Sequence, residues 1–465
     1  MSTTGKLIAP GLLLFIDSLL GAAANWIFWL VISKFTLASE IGQATTVYSI
    51  VSLIGMSIQL GLEYPLLKEA HTHRSRIVGT ALAIEIILFI VTLPILLFTT
   101  NTLLHKDAEA FVWLAIGLLF SSSISFVTRY ILLGITDVKS VVLIDVGGNF
   151  LKFVIGYALV LSGSGVYGIL MSFLSYNAFV AGASLFVLLK RLGFALERTQ
   201  IKFAKELIKA GLVNTPFKLS KVFIITLSII LLTPFGISNS DIGIFYISIM
   251  ISLVAGSLAS SIALMIIPAS SRMATDFSSA GVRIALSLTA PIISALVVAP
   301  KFILSIIGAQ YVTGDTVLLI LAIGILPFSI TFNAISGFNN NKEYRKIIVI
   351  GCTEFMTFLA SFFILVPNYG IDGAALSVLF AFMAASIPAI SWLGRTSTRY
   401  VSISIASVIV GVMVSYIFGL ITDTQPIIQI IASFAVTSVI IITLRNISLV
   451  ELKEILEFVT KMNEL

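Results

Sequence analysis

The run Ile242–Ser271, IGIFYISIMISLVAGSLASSIALMIIPASS, contains no Asp, Glu, Lys or Arg. About 20 apolar helical residues cross the hydrocarbon layer of a bilayer, so a run of this length is a membrane span and not a soluble core helix. Four more runs are equally uninterrupted by charge: Thr316–Asn341, Gly373–Gly394, Tyr400–Thr422 and Thr424–Leu444. Working outward from them, 58% of the 465 residues are hydrophobic and only 11% are charged. A soluble domain carries about 25% charged residues, so this chain has too few to coat a globular surface. The fold class is all-α, a polytopic membrane protein.

Hydrophobic segmentation predicts about fourteen spans, near 11–33, 41–66, 78–100, 110–134, 140–162, 166–189, 212–236, 242–268, 281–300, 315–338, 346–366, 371–393, 400–421 and 426–444. With a cytoplasmic N-terminus, 22 of the 28 Lys and Arg fall in inside segments and three (Lys34, Lys106, Lys301) in outside ones. Cytoplasmic loops carry the excess of Lys and Arg, so both termini are expected in the cytoplasm and the protein in the cytoplasmic membrane. The first span follows Met1–Pro10 without a small-residue cleavage site and is expected to be retained. The net charge of +6 is accounted for by this bias and by anionic head groups; it implies membrane lipids as partners and no nucleic acid.

The chain repeats itself. Ala38-Ser39-Glu40-Ile41-Gly42 recurs as Asn239-Ser240-Asp241-Ile242-Gly243, Gly134 as Gly337, and Gly165-Val166-Tyr167-Gly168-Ile169 as Gly370-Ile371-Asp372-Gly373-Ala374. Three matches in order, at similar offsets, predict two six-span bundles of the same orientation, as in transporters built from parallel repeats around a central site. The expected domains are residues 1–189 and 212–395 as the two bundles and 190–211 as a cytoplasmic amphipathic linker with Ile201, Ala204 and Ile208 on one stripe. Residues 396–447 form two additional spans and 448–465 an amphipathic cytoplasmic tail.

Enzymatic signatures are missing. There is no phosphate-binding Gly-x-x-x-x-Gly-Lys-Ser/Thr loop and no His-Glu-x-x-His. Gly163–Gly168 satisfies Gly-x-Gly-x-x-Gly, but it lies in a turn between two spans and lacks the preceding strand that a dinucleotide site needs. A single cysteine, Cys352, excludes an internal disulfide or a cysteine-built metal site. The His71–His73 pair reads as an inner loop rather than a metal site. No cofactor is expected. Short outside loops leave no room for an external catalytic domain, which counts against a membrane glycan polymerase.

Three stretches carry a family resemblance: Phe35–Gly42 leading to Leu60-Gly61-Leu62; Ser240–Ser248; and Ile306-Ile307-Gly308-Ala309-Gln310-Tyr311 followed by Tyr369–Ala375. Over roughly residues 10–395 the chain resembles the multidrug/oligosaccharidyl-lipid/polysaccharide (MOP) flippase superfamily, and within it the polysaccharide and O-antigen flippases. The resemblance implies two six-helix bundles in a V, alternating access, and a polyprenyl-phosphate- or pyrophosphate-linked oligosaccharide as cargo. In some members a H+ or Na+ gradient is the drive. An ion-coupled multidrug antiporter of the same fold and a peptidoglycan-precursor flippase are the alternatives; the antiporter would want an acidic, aromatic-lined cavity.

A charge at mid-membrane costs about 3 kcal/mol on insertion scales, so intramembrane ionisable residues are functional candidates. Lys152, Lys218 and Lys221 are candidate contacts for the carrier's phosphate, with Asn25, Asn149 and Asn214 as hydrogen-bonding groups for the sugar. Asp17, Asp145 and Glu354 are candidate ion-coupling groups. By the repeat offsets Asp17 corresponds to Lys218, and Asn149 to Glu354. Asp145 and Lys152 are seven residues apart, about 10 Å along a helix, so each needs a partner elsewhere, and an interhelical salt bridge is the competing role. Asp17 could serve as resting counter-ion to the lysines. Glu63, Glu85 and Arg129 lie near enough to span ends or polar stretches to snorkel or to pair with neighbouring helices. Lys218 and Lys221 either anchor a short seventh span at the inner interface or hold phosphate.

Overall fold

The computed structural model describes residues 5–70, 74–104, 108–135, 137–191, 201–273, 278–341, 343–422, 425–444 and 446. His71, His73 and the tail 448–465 lie outside them, as do residues 192–200 of the expected linker. The helices are α1 (Gly5–Ile32), α2 (Ala38–Ile58), α3 (Glu63–Glu69), α4 (Arg74–Leu104), α5 (Ala108–Gly134), α6 (Val138–Leu161), α7 (Gly165–Arg191) and α8 (Ile201–Leu232). They continue as α9 (Asn239–Met273), α10 (Ser278–Val298), α11 (Pro300–Ile307), α12 (Asp315–Asn340), α13 (Tyr344–Leu393), α14 (Arg395–Thr422) and α15 (Pro426–Thr443). No strand occurs among the described residues.

Eleven of these helices are long and apolar enough to cross a membrane, and two shorter apolar stretches lie in α1 and α8. The 50-residue α13 is two spans in one, because Gly370 (φ 55°, ψ −129°) breaks the helical backbone at its middle. Only glycine adopts that conformation without strain. Dividing α13 there and including the two shorter stretches yields the expected fourteen.

Two elements differ from the sequence reading. The span expected at 41–66 stops at Ile58, where Leu60 (φ 43°) and Gly61 (φ 66°) turn the chain before the short α3. Left-handed backbone in a non-glycine residue costs about 1–2 kcal/mol, held here by buried Leu62 and Leu66. The amphipathic segment after residue 200 does not stand apart from span seven but runs continuously into it as α8. Leu207 is buried, with Ala204 and Ile208 packed beside it on a core of α3–α7 residues including Leu66, Ile77, Phe126 and Val127. Ile201, expected on the same stripe, points outward at 74% exposure.

The helices form two compact units. The first comprises Met1–Ile247 with Val366–Ala374, and the second Ser248–Leu365 with Ala375–Leu465. Within the first, the repeated motifs meet each other. A Cβ on Gly42 would collide with the backbone of Asn239 and Gly243, and one on Gly243 with the backbone of Ala38 and Gly42. Small residues let membrane helices approach this closely. Each motif also closes its own helix start: the Leu37 amide donates to Glu40 Oε2 (2.9 Å), and the Asp241 amide to Ser238 Oγ (3.1 Å). These bonds satisfy N–H groups that a helix start leaves open.

In the second unit, α10, α14, α15 and the Asn446 that follows α15 are tied together by polar side chains. Thr437 Oγ1 donates to Ser294 Oγ (3.0 Å), Ser397 Oγ to Ser279 Oγ (3.0 Å), and Asn446 Nδ2 to Ser404 Oγ (3.0 Å). Arg283 completes the set by donating to the Asn446 carbonyl (3.1 Å). Such interhelical bonds substitute for a hydrophobic driving force that lipid does not supply. Cys352 is exposed on α13.

Candidate functional site

Four helices of the first unit bring ionisable groups together. Asp17 of α1 and Asp145 of α6 are buried, 6% and 4% exposed. Arg129 of α5 stands between them, with Nη2 at 2.9 Å from Asp17 Oδ2 and 2.7 Å from Asp145 Oδ2. Tyr176 of α7 donates its hydroxyl to Asp145 Oδ1 at 3.4 Å. Two carboxylates sharing one guanidinium leave the cluster one negative charge in excess when all three are ionised.

Two helical turns along α6 a second polar contact forms. Lys152, 5% exposed, donates from Nζ to Asn25 Oδ1 of α1 at 2.8 Å. The ammonium lies 4.3 Å from the Phe28 ring centroid and 4.6 Å from that of Phe173 on α7. Aromatic faces attract a cation through their quadrupole. Among the described residues, no carboxylate lies within ion-pair distance of Lys152. Among the described residues this buried amine is therefore held by an amide oxygen and two rings, with no carboxylate beside it.

Asp145 and Lys152 do find partners on other helices: Arg129 and Asn25. Asp17 also pairs with Arg129. Asn149 turns its amide back to its own helix, donating to the Asp145 carbonyl at 2.9 Å. Glu354 is buried on α13 in the second unit. Asn214, Lys218 and Lys221 all lie on α8; their side chains lie outside the described residues. Arg129, expected to snorkel or to pair with neighbouring helices, pairs; Tyr176 and the Phe28–Phe173 pair are what sequence reasoning left out of the site. Arg129 was legible only indirectly, as a cation in a span while two acidic residues in other spans lacked partners.

Beside this cluster, residues of α2, α5 and α7, among them Tyr48, Tyr130 and Asn177, line a cavity of about 260 Å³. Tyr48, which lines the cavity, stacks on Phe173, centroids 4.3 Å apart at 25°, and Phe173 in turn is one of the two rings against Lys152. Among the described residues no group of three or more His, Cys, Asp or Glu is placed to hold a metal ion.

No protein-family profile matches the chain, and no curated protein sequence matches it either. Solved structures do. An inward-closed lipid II flippase MurJ superposes with a TM-score of 0.71 at 14% identity, covering 93% of this chain and 98% of that one. An inward-facing multidrug resistance MATE transporter of the MOP superfamily gives 0.63 at 15% identity, covering 83% and 95%. A MOP superfamily transporter from Pyrococcus furiosus, described as having a binding pocket of reversed polarity, gives 0.56 at 14% identity over 85% and 96%. The chain thus has the fold of MOP superfamily transporters.

Proposed function

We propose that this chain, a multi-pass membrane protein with the MOP transporter fold, is a flippase for a polyprenyl-phosphate- or pyrophosphate-linked saccharide. It works in the cytoplasmic membrane with both termini in the cytoplasm. It carries the saccharide head group from the cytoplasmic to the outer leaflet by alternating access, and it is not an enzyme. The observation that supports this over an antiporter of organic cations is Lys152. A buried ammonium without a carboxylate partner disfavours a cationic guest and favours an anion, which would supply the missing countercharge. The carrier's phosphate is such an anion. Lys218 and Lys221 of α8 are proposed to share this role, with Asn25, Asn149 and Asn214 contributing hydrogen bonds.

Asp17, Arg129 and Asp145 form the proposed coupling element. Their excess negative charge suits H+ or Na+, and occupancy by either would weaken the bridges that hold α1, α5 and α6 together. Glu354 is the proposed counterpart in the second unit.

Reconstitution tests the reading. Purified protein in liposomes without ATP should move a fluorescent polyprenyl pyrophosphate between leaflets, measured by reduction of outer-leaflet dye. Lys152→Gln should abolish this with unchanged abundance, and Lys152→Arg should restore part of it, because a positive charge is what the phosphate needs. Transport of cationic dyes with no movement of the carrier would overturn the flippase in favour of the antiporter.

A further inference from the structure

The cavity between α2, α5 and α7 is built unlike a site for a charged or drug-sized guest. Its walls carry phenol rings from Tyr48 and Tyr130, the Phe126 ring, the Ser52 hydroxyl, and the Gln59 and Asn177 amides. Among the described residues, no charged side chain lines it. An ion entering it would lose water without gaining a countercharge, an unfavourable exchange in a membrane interior. A neutral guest with many hydroxyls meets partners instead. Asn177 donates its amide N–H to the Phe173 carbonyl at 3.0 Å, and among the described residues its side-chain oxygen receives no donor, so that oxygen is open to a guest hydroxyl. The Phe126 and Tyr130 rings, 4.9 Å apart and tilted by 57°, offer faces for the C–H side of a pyranose.

Size narrows the guest further. Pockets for drug-sized ligands begin at about 300 Å³, and this one is about 260 Å³. It accommodates one sugar ring. Its position fits as well: Phe173 carries Lys152 Nζ at 4.6 Å and the Tyr48 ring at 4.3 Å from its centroid. Lys152 and the cavity are thus separated by the stacked Phe173 and Tyr48 rings, close enough for neighbouring groups of one carrier head group.

We infer that the Tyr48–Tyr130–Asn177 cavity is a subsite for a single neutral pyranose, the sugar joined directly to the carrier phosphate. The inference rests on the flippase reading and adds the head-group class to it. It makes the protein selective for a glycosylated carrier whose first sugar bears no charge, over the bare carrier and over a first sugar carrying a carboxylate.

Gly55 supplies the test. It lines the cavity, and a Cβ added there would meet only Leu119 Cδ1 at 3.6 Å and Ser122 Oγ at 3.8 Å, both ordinary contacts. Gly55→Leu therefore sets its Cβ at ordinary contact distance and adds apolar bulk at the cavity wall, and Asn177→Ala removes the open acceptor. Full-length protein in liposomes is assayed with three fluorescent carriers: bare polyprenyl pyrophosphate, the same carrier bearing a neutral hexose, and one bearing a uronic acid. Wild type should move the hexose carrier at least about tenfold faster than the other two, since a site that hydrogen-bonds its guest rejects one lacking the groups. Both variants should bring the hexose-to-bare ratio to near one. Equal rates for all three carriers in wild type, or an unchanged ratio in both variants, overturns the subsite and leaves the flippase standing. Movement of no carrier by wild type overturns the flippase reading and the subsite together.

Discussion

Replacing Arg129 by Leu removes the shared partner of Asp17 and Asp145. Both carboxylates are 6% exposed or less, and Arg129 Nη2 lies within 2.9 Å of each. Breaking a buried ion pair from one side costs about 3–5 kcal/mol, because an uncompensated charge is left behind. The Arg129 side chain is 35% exposed, so some of the interaction is already screened and the low end applies, about 3 kcal/mol. At roughly 2 °C per kcal/mol for large domains, the melting temperature in detergent should fall on the order of 5 °C, read by intrinsic fluorescence. The triple variant Arg129→Leu, Asp17→Leu, Asp145→Leu should regain most of that loss, since a well-packed apolar replacement of a buried ionic group is often neutral. It should still fail to transport. Full stability in Arg129→Leu would refute the reasoning, as would a triple variant less stable than the single one.

Three further outcomes follow from the helix contacts and from α8. Gly42→Val should reduce folded protein severalfold in fluorescence-detected size-exclusion chromatography, because its side chain would collide with the Asn239 backbone. Gly55→Ala, whose new methyl meets nothing closer than 3.6 Å, should keep full abundance and gain up to about 1 kcal/mol from helix propensity. The double variant Lys218→Gln, Lys221→Gln should lose carrier transport at normal membrane abundance, with the Arg pair restoring part of it. Normal transport by the Gln pair would leave those lysines an anchoring role only.

The spans were legible because a bilayer imposes a length and excludes charge, and both requirements are local in sequence. The division between the spans at 346–366 and 371–393 was legible for the same reason, and the structure places the non-helical Gly370 there. Partner choice was not local. Arg129 stands five residues before the end of α5, close enough to snorkel. Only the rotation of α5 about its axis decides that the guanidinium turns to Asp17 and Asp145 instead. The amphipathic stripe on α8 failed at Ile201 for a related reason: periodicity shows that a face exists, whereas packing on Leu66 and Phe126 selects Leu207 as its centre. The repeat Ala38–Gly42 and Asn239–Gly243 was visible as a pattern, and its physical basis is contact between the two copies, which no single copy can disclose.

The expectation that Asp145 and Lys152 each require a partner from another helix leads to a geometry shared by two contacts. Asp17 precedes Asn25 on α1 as Asp145 precedes Lys152 on α6, and the contacts join Asp17 to Asp145 through Arg129 and Asn25 to Lys152 directly. Two rungs in the same order require α1 and α6 to run in the same direction, as the first and fifth of alternating spans must. They also place an ionic cluster and a buried lysine on one pair of helices, separated by about 10 Å along the axis. Any shift of α1 against α6 that breaks one rung strains the other. Cation binding at the carboxylates and phosphate binding at the lysine would therefore act on a single sliding contact, a direct physical route by which an ion gradient could drive a lipid-linked anion.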